Sequence, residues 1–349
     1  MPHDGGAGDA PPDFFQEQAP AHGPPHQSIV KTLAFAIAAV LLLAAVSLFV
    51  GATDLSPAAL FTSGPDGTAL QLLLISRIPR TVALILSGMA MGVCGMIMQM
   101  LVRNRFVEPG TAGTVESAGL GILTVTLLAP TMPLLGKMTV AALFALAGTA
   151  LFLGILSRIP LRSALMVPLV GLMLGGVVDS VTTFFAYRYD LLQSLNAWTT
   201  GDFSGVLRGR YELLWIAFAL TVLAYTAADR FTVAGMGQDF TTNLGLNYRR
   251  IMAMGLGIVA MVTAAVVVTV GIIPFLGLIV PNLVSMTVGD NVRRSVPWVA
   301  VTGAGFVLAC DLIGRIVRYP YEIPVGTVVG VIGSAVFLYL LLRRDSSLA

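Results

Sequence analysis

Charge is what this chain has least of: of its 349 residues only 11% are charged, against 56% hydrophobic. A soluble domain carries about 25% charged residues, so a chain this poor in charge cannot cover its own surface in water. Histidine is scarcer still, and all three residues (His3, His22, His26) precede the first apolar block. That excludes a histidine metal site and a histidine general base from the apolar body. The two cysteines, Cys94 and Cys310, fall in different apolar stretches with no pairing or metal spacing, and read as small packing residues. A net charge of +2 is too small to indicate nucleic acid as a partner. Also absent are a G-x-x-x-x-G-K-[S/T] loop, an HExxH or CxxC motif and any Ser/His/Asp set. The chain therefore has no ATPase site of its own. Its expected inventory is no catalytic residue, no metal ligand and no resident cofactor.

What the sequence has in abundance is apolar blocks of roughly twenty residues, the length a helix needs to cross a hydrocarbon core about 30 Å thick. Backbone amides in lipid must be satisfied within their own element, so the blocks read as helices. A β-barrel would need alternating segments of about ten residues, and stretches such as Leu213–Ala228 do not alternate. The expected fold is all-α and polytopic. About ten spans fall near 30–51, 80–102, 112–130, 137–157, 164–187, 211–229, 250–272, 275–288, 296–316 and 325–342. Residues 1–28 are rich in Pro, Gly and Ala and read as a disordered tail without a signal-peptide pattern. The membrane domain is expected over 29–344, with a short tail at 345–349. Between the fifth and sixth spans, Leu191–Trp198 is an amphipathic piece too polar to cross.

Glycines recur inside the spans at small-residue spacing: Gly88, Gly92, Gly95; Gly171, Gly175; Gly255, Gly257; Gly326, Gly330, Gly333. Such spacing lets helix backbones approach closely. The bias of Lys and Arg among the loops places both termini in the cytoplasm. Arginines also cluster on the opposite face, at Arg77/Arg80, Arg188, Arg208/Arg210 and Arg315/Arg318, with only one lysine among them. Arginine suits bidentate carboxylate recognition, so that face reads as a docking surface; the competing reading is of interfacial anchors. On the cytoplasmic side, Phe231–Arg250 (FTVAGMGQDFTTNLGLNYRR) is too polar to span. It reads as a pair of short helices, closed at Leu244, Gly245 and Leu246, that another protein can grip.

Four ordered blocks carry a resemblance: RIPRTVALILSGMAMGVCGMIMQ (Arg77–Gln99), RNRFVEPGTAGTVESAGLG (Arg103–Gly121), GIIPFLGLIVPN (Gly271–Asn282) and DLIGRIVRYPYEIPVGTVVGVIGSAVFLYLLLRR (Asp311–Arg344). They resemble the FecCD-type permeases of bacterial ABC importers for iron-siderophores, haem and cobalamin. Trp198–Leu214, Phe231–Tyr248 and Asn282 resemble the branch for catecholate siderophores of the petrobactin or enterobactin kind. The resemblance implies a type II importer permease of ten helices in the bacterial inner membrane. It works with a second permease (a paralogue or an identical chain), two ATPase subunits that bind ATP and Mg, and a substrate-binding protein carrying the ferric siderophore. It also implies binding-protein docking at Arg77, Arg80 and Arg315, ATPase coupling through Gly235, Gln238, Leu244, Gly245 and Leu246, and a cytoplasmic gate at Ser163. Glu116 and Asp179 depart from the family's neutral residues. A carboxyl at membrane depth is costly, so each is expected to bond across a helix interface or to face a wet cavity. An ion-coupled secondary transporter, a membrane enzyme and a permease of the same family for haem or cobalamin are the competing readings.

Overall fold

A computed structural model describes residues 26–51, 68–159, 165–289 and 291–345. Within them the chain is helical throughout: α1 (His26–Phe49), α2 (Ile78–Val102), α3 (Thr114–Leu128), α4 (Leu134–Leu156), α5 (Met166–Arg188), α6 (Leu192–Thr199), α7 (Leu214–Thr226), α8 (Ala228–Gly235), α9 (Gln238–Asn243), α10 (Tyr248–Val270), α11 (Leu276–Val288), α12 (Val292–Val317) and α13 (Val325–Asp345). Six described helices are long and apolar enough to cross a membrane. α7 meets the same length and hydropathy test only together with α8, from which it is bent by 65°, and the stretches 114–128, 276–288 and 325–340 are shorter apolar helices. Each of the ten expected spans coincides with one of these elements. The tail expected over 1–28 lies outside the described residues except at its end, where α1 begins at His26. The 346–349 stretch also lies outside.

The bundle is organised around α2. This helix is buried along most of its length and packs against α7, α10, α11 and α12, and glycines take the place of side chains where α11 and α12 cross it. A Cβ on Gly88 would lie 2.5 Å from the Gly303 carbonyl oxygen of α12, and one on Gly95 would collide with the backbone of Gly277 in α11. These are the close backbone approaches that small-residue spacing permits in a membrane, where packing and hydrogen bonds replace hydrophobic expulsion as the driving force. Gly171 of α5 fits against the Thr111 carbonyl in the same way, whereas Gly257 faces open space and carries no such contact.

α2 is entered through one turn of helix (Thr68–Leu72) and a π-helical turn, Leu73–Arg77. There the Ile78 N–H reaches back to the Leu73 carbonyl. Pro79 follows at the first positions of α2, where a missing N–H does no harm. α10 and α11 are separated by a non-helical break. Gly271 at φ 86° and Phe275 at φ 60° turn the chain, and Asp202 N–H donates to the Val270 carbonyl at 2.9 Å. Glu108, from the loop before α3 and 4% exposed, accepts the Phe275 N–H at 3.0 Å. A carboxylate at the start of α11 satisfies an otherwise orphaned donor and sits at the positive end of the helix dipole.

Candidate functional site

Two clusters, at opposite ends of the bundle, gather the residues that the sequence singled out. The first lies where α2 begins and α12 ends. Arg80 is 7% exposed and Arg315 2%, and both close on Asp311, whose side chain is fully buried. Arg80 Nε and Nη2 donate to Asp311 Oδ1 at 3.2 and 2.7 Å, while its Nη1 donates to Glu322 Oε2 at 2.6 Å. Arg315, one turn after Asp311 on α12, forms an ion pair with it. Its Nη1 also donates to the carbonyls of Ser47 and Val50 at 2.9 and 2.8 Å. Arg77, 7% exposed, donates to the same Val50 carbonyl. Its guanidinium lies so close to Gly51 that a Cβ there would overlap it.

Arg77, Arg80 and Arg315, expected at a docking surface, are buried side chains rather than free surface charges. Their recorded bonds run inside the chain, capping the end of α1 and joining α2, α12 and the 318–324 turn, although Arg315 Nε finds no partner among the described residues. The physical reason is desolvation: a guanidinium taken out of water needs carboxylates and carbonyls around it, and Asp311 and Glu322 supply them. Sequence reading missed both carboxylates, although each stood in a quoted block. The exposed cations at this end of the bundle are Arg188, Arg208, Arg210 and Arg318, the last with its guanidinium 5.8 Å from the Tyr321 ring centroid.

The second cluster lies at the other end, where α2 finishes. α8 is anchored by Phe231, Ala228 and Ala234, all buried, and packs on α2 and α12. Gly237 at φ 114° turns the chain into α9. Thr241, fully buried, ties α9 back by donating to the carbonyls of Gly237 at 2.6 Å and Val233 at 3.1 Å. α9 stops in a Schellman motif: Leu246 N–H donates to the Thr241 carbonyl at 3.1 Å and Gly245 N–H to that of Thr242 at 2.9 Å. Gly245 occupies the left-handed position at φ 76°. Asn247 then caps α10, its side chain accepting the Arg250 N–H at 3.1 Å. Of the five residues expected here, Gln238, Leu244 and Gly245 are exposed, and Gly235 and Leu246 half-buried. Met236, Phe240 and Leu244 add exposed apolar side chains four residues apart.

Glu116 and Asp179 come together. With Gly175, Gly176, Thr183 and Asn196 they line a cavity of about 420 Å³ between α3, α5 and α6. Glu116 Oε2 is buried with no hydrogen-bond partner among the described residues, while Asp179 is exposed on α5. Ser163, expected at a gate, lies outside the described residues. Among the described residues no group of three or more His, Cys, Asp or Glu could hold a metal ion.

The profile of the FecCD transport family matches residues 39–343. The chain belongs to that family. A petrobactin import system permease, YclN of Bacillus subtilis (strain 168), is 50% identical over 306 residues, covering 88% of this chain and 96% of that protein. A second petrobactin import permease, FatD of Bacillus anthracis, is 43% identical over 90% of this chain and 92% of its own length. A metal-chelate type ABC transporter solved in an inward-facing conformation superposes with a TM-score of 0.76 at 22% identity, over 90% of this chain and 99% of that one; this likeness shows the fold alone. The FecCD chain is thus an ABC importer permease subunit rather than an enzyme, and its ATPase is a separate subunit.

Proposed function

We propose that this FecCD permease carries ferric siderophores of the catecholate type across the bacterial cytoplasmic membrane, with both termini in the cytoplasm. The observation that carries the substrate is the 50% identity to a petrobactin import permease over nearly the whole of both chains. The α8–α9 pair, with Gly235, Gln238, Leu244, Gly245 and Leu246, is the surface the ATPase grips, and its rigid closure at Gly245 supports that role. A second permease completes the pathway, and a binding protein delivers the cargo to the opposite end. Docking there rests on the region built by Arg77, Arg80 and Arg315. Exposed Arg318 supplies the outward contact there, and acidic residues on the binding protein pair with it.

The test is uptake of radiolabelled iron in a strain lacking its own copy and supplied with this chain. Ferric petrobactin is taken up, ferric hydroxamates are not, and inactivating the ATPase subunit abolishes uptake. Uptake that persists without the ATPase and follows the proton gradient overturns the assignment in favour of a secondary transporter. Reversing Arg318 to Glu lowers the salt-dependent affinity for the binding protein, because rim charges act on encounter; an unchanged salt slope removes the docking role.

A further inference from the structure

A cavity of about 490 Å³ opens at the end of the bundle opposite α8 and α9. The first turn of α4, the last turns of α3 and α10, α6 and the 202–210 loop enclose it. Its size is that of an ordinary ligand site. Its lining divides in two. Ile122, Leu134 and Val268 make an apolar wall, and Lys137 and Arg210 bring two cations to it. The carboxylate present, Asp202, is occupied by its own loop, accepting from Ser204 N–H and Oγ at 2.8 Å each. Neither Lys137 nor Arg210 has a side-chain partner among the described residues, so two cations outnumber the one carboxylate and the cavity carries a net positive charge beside apolar surface. Trp198 also lines it, a residue suited to the boundary between hydrocarbon and water.

We propose that this cavity is a binding site for an anionic phospholipid. Lys137 and Arg210 hold the phosphate, and an acyl chain lies against Ile122, Leu134 and Val268. The depth fits, because the cavity sits where three membrane helices end, which is the level of the headgroups. The chemistry fits as well: guanidinium and ammonium groups both bind phosphate, and basic pockets between membrane helices are a recurring way of holding lipid headgroups. A water-soluble anion has no use for the apolar wall, and a zwitterionic lipid brings a phosphate whose charge its own ammonium offsets.

The test is native mass spectrometry of the detergent-purified chain, titrated with phosphatidylglycerol or with phosphatidylcholine of the same acyl chains. The native chain retains one phosphatidylglycerol in preference to phosphatidylcholine. Lys137→Gln/Arg210→Gln loses that preference by about tenfold or more in affinity, the scale of one lost charge-assisted contact. Lys137→Arg keeps it. Lys137→Gln alone carries the test if the double variant expresses poorly. Equal retention by the native and substituted chains overturns the proposal. An equal loss in Arg208→Gln, an exposed arginine outside the cavity, also overturns it, because the effect is then general surface charge. Two further arms address the source of the anion. Inorganic phosphate or a ferric catecholate that displaces the lipid at millimolar concentration makes the site one for a soluble anion, and the lipid assignment fails.

Discussion

Replacing Asp311 by Asn is the sharpest perturbation this structure offers. The side chains are nearly the same shape, so the change removes charge without opening a cavity. In the native chain Asp311 accepts two hydrogen bonds from Arg80 and pairs with Arg315, with no solvent exposure of its own. After the change Arg80 keeps Glu322, and Arg315 keeps the carbonyls of Ser47 and Val50. Two buried guanidinium groups nevertheless lose their shared counter-charge. Removing one partner of a buried pair costs about 3–5 kcal/mol; because other acceptors remain, about 3 kcal/mol is expected. Glu322 pairs with the same arginine but its side chain is 24% exposed. Water can replace it, so Glu322→Gln should cost below about 1 kcal/mol. The assay is reversible unfolding of the detergent-solubilised chain, read by tryptophan fluorescence and by retention of the monodisperse peak on heating. The informative quantity is the order of the two variants. Should Asp311→Asn prove no more harmful than Glu322→Gln, the cluster is solvated in the membrane and the reasoning from burial fails.

Three other outcomes follow from the geometry. Gly245→Val forces a branched side chain into φ 76°, at about 1–2 kcal/mol; it should distort the end of α9 and lower transport per ATP hydrolysed while insertion and ATPase co-purification persist, and normal transport refutes the coupling role. Glu116→Gln and Asp179→Asn should retain most uptake, because their cavity leaves room for neutral amides; loss of uptake in well-folded variants argues for a charged role in transport. Glu108→Ala removes the acceptor for the Phe275 N–H and should cost about 1–3 kcal/mol, whereas Glu108→Gln keeps an acceptor and should recover part of it; equal losses in a thermal-shift comparison contradict the capping role.

The helices were legible because membrane thickness imposes a length that any apolar block must meet, whatever its neighbours. The α8–α9 pair was legible for a local reason: Gly237 and Gly245 stand where the backbone adopts positive φ, and the hydrogen bonds they support span five residues or fewer. Depth was not legible. Arg80 and Asp311 are separated by 231 positions and Arg315 and Ser47 by 268. Nothing local distinguishes an arginine that folds inward onto such partners from one that faces water. The loop pattern grouped the arginines at one end of the bundle, and only the packing revealed their burial. Gly257 shows the converse, a small residue in the right rhythm with nothing against it.

The bend between α7 and α8 has a mechanical meaning. The α7 axis gives way to α8 at 65° across Ala227 alone, and the buried side of α8 is seated on α2 and α12. That shape is a bell-crank. On the proposed coupling role, a push on Met236, Phe240 and Leu244 would turn that crank and reach α2, whose crossings with α11 and α12 are backbone on backbone at Gly95 and Gly88. Those crossings have no side chains to cushion a load, so they are where a lateral stroke at one surface would pass into tilt across the membrane.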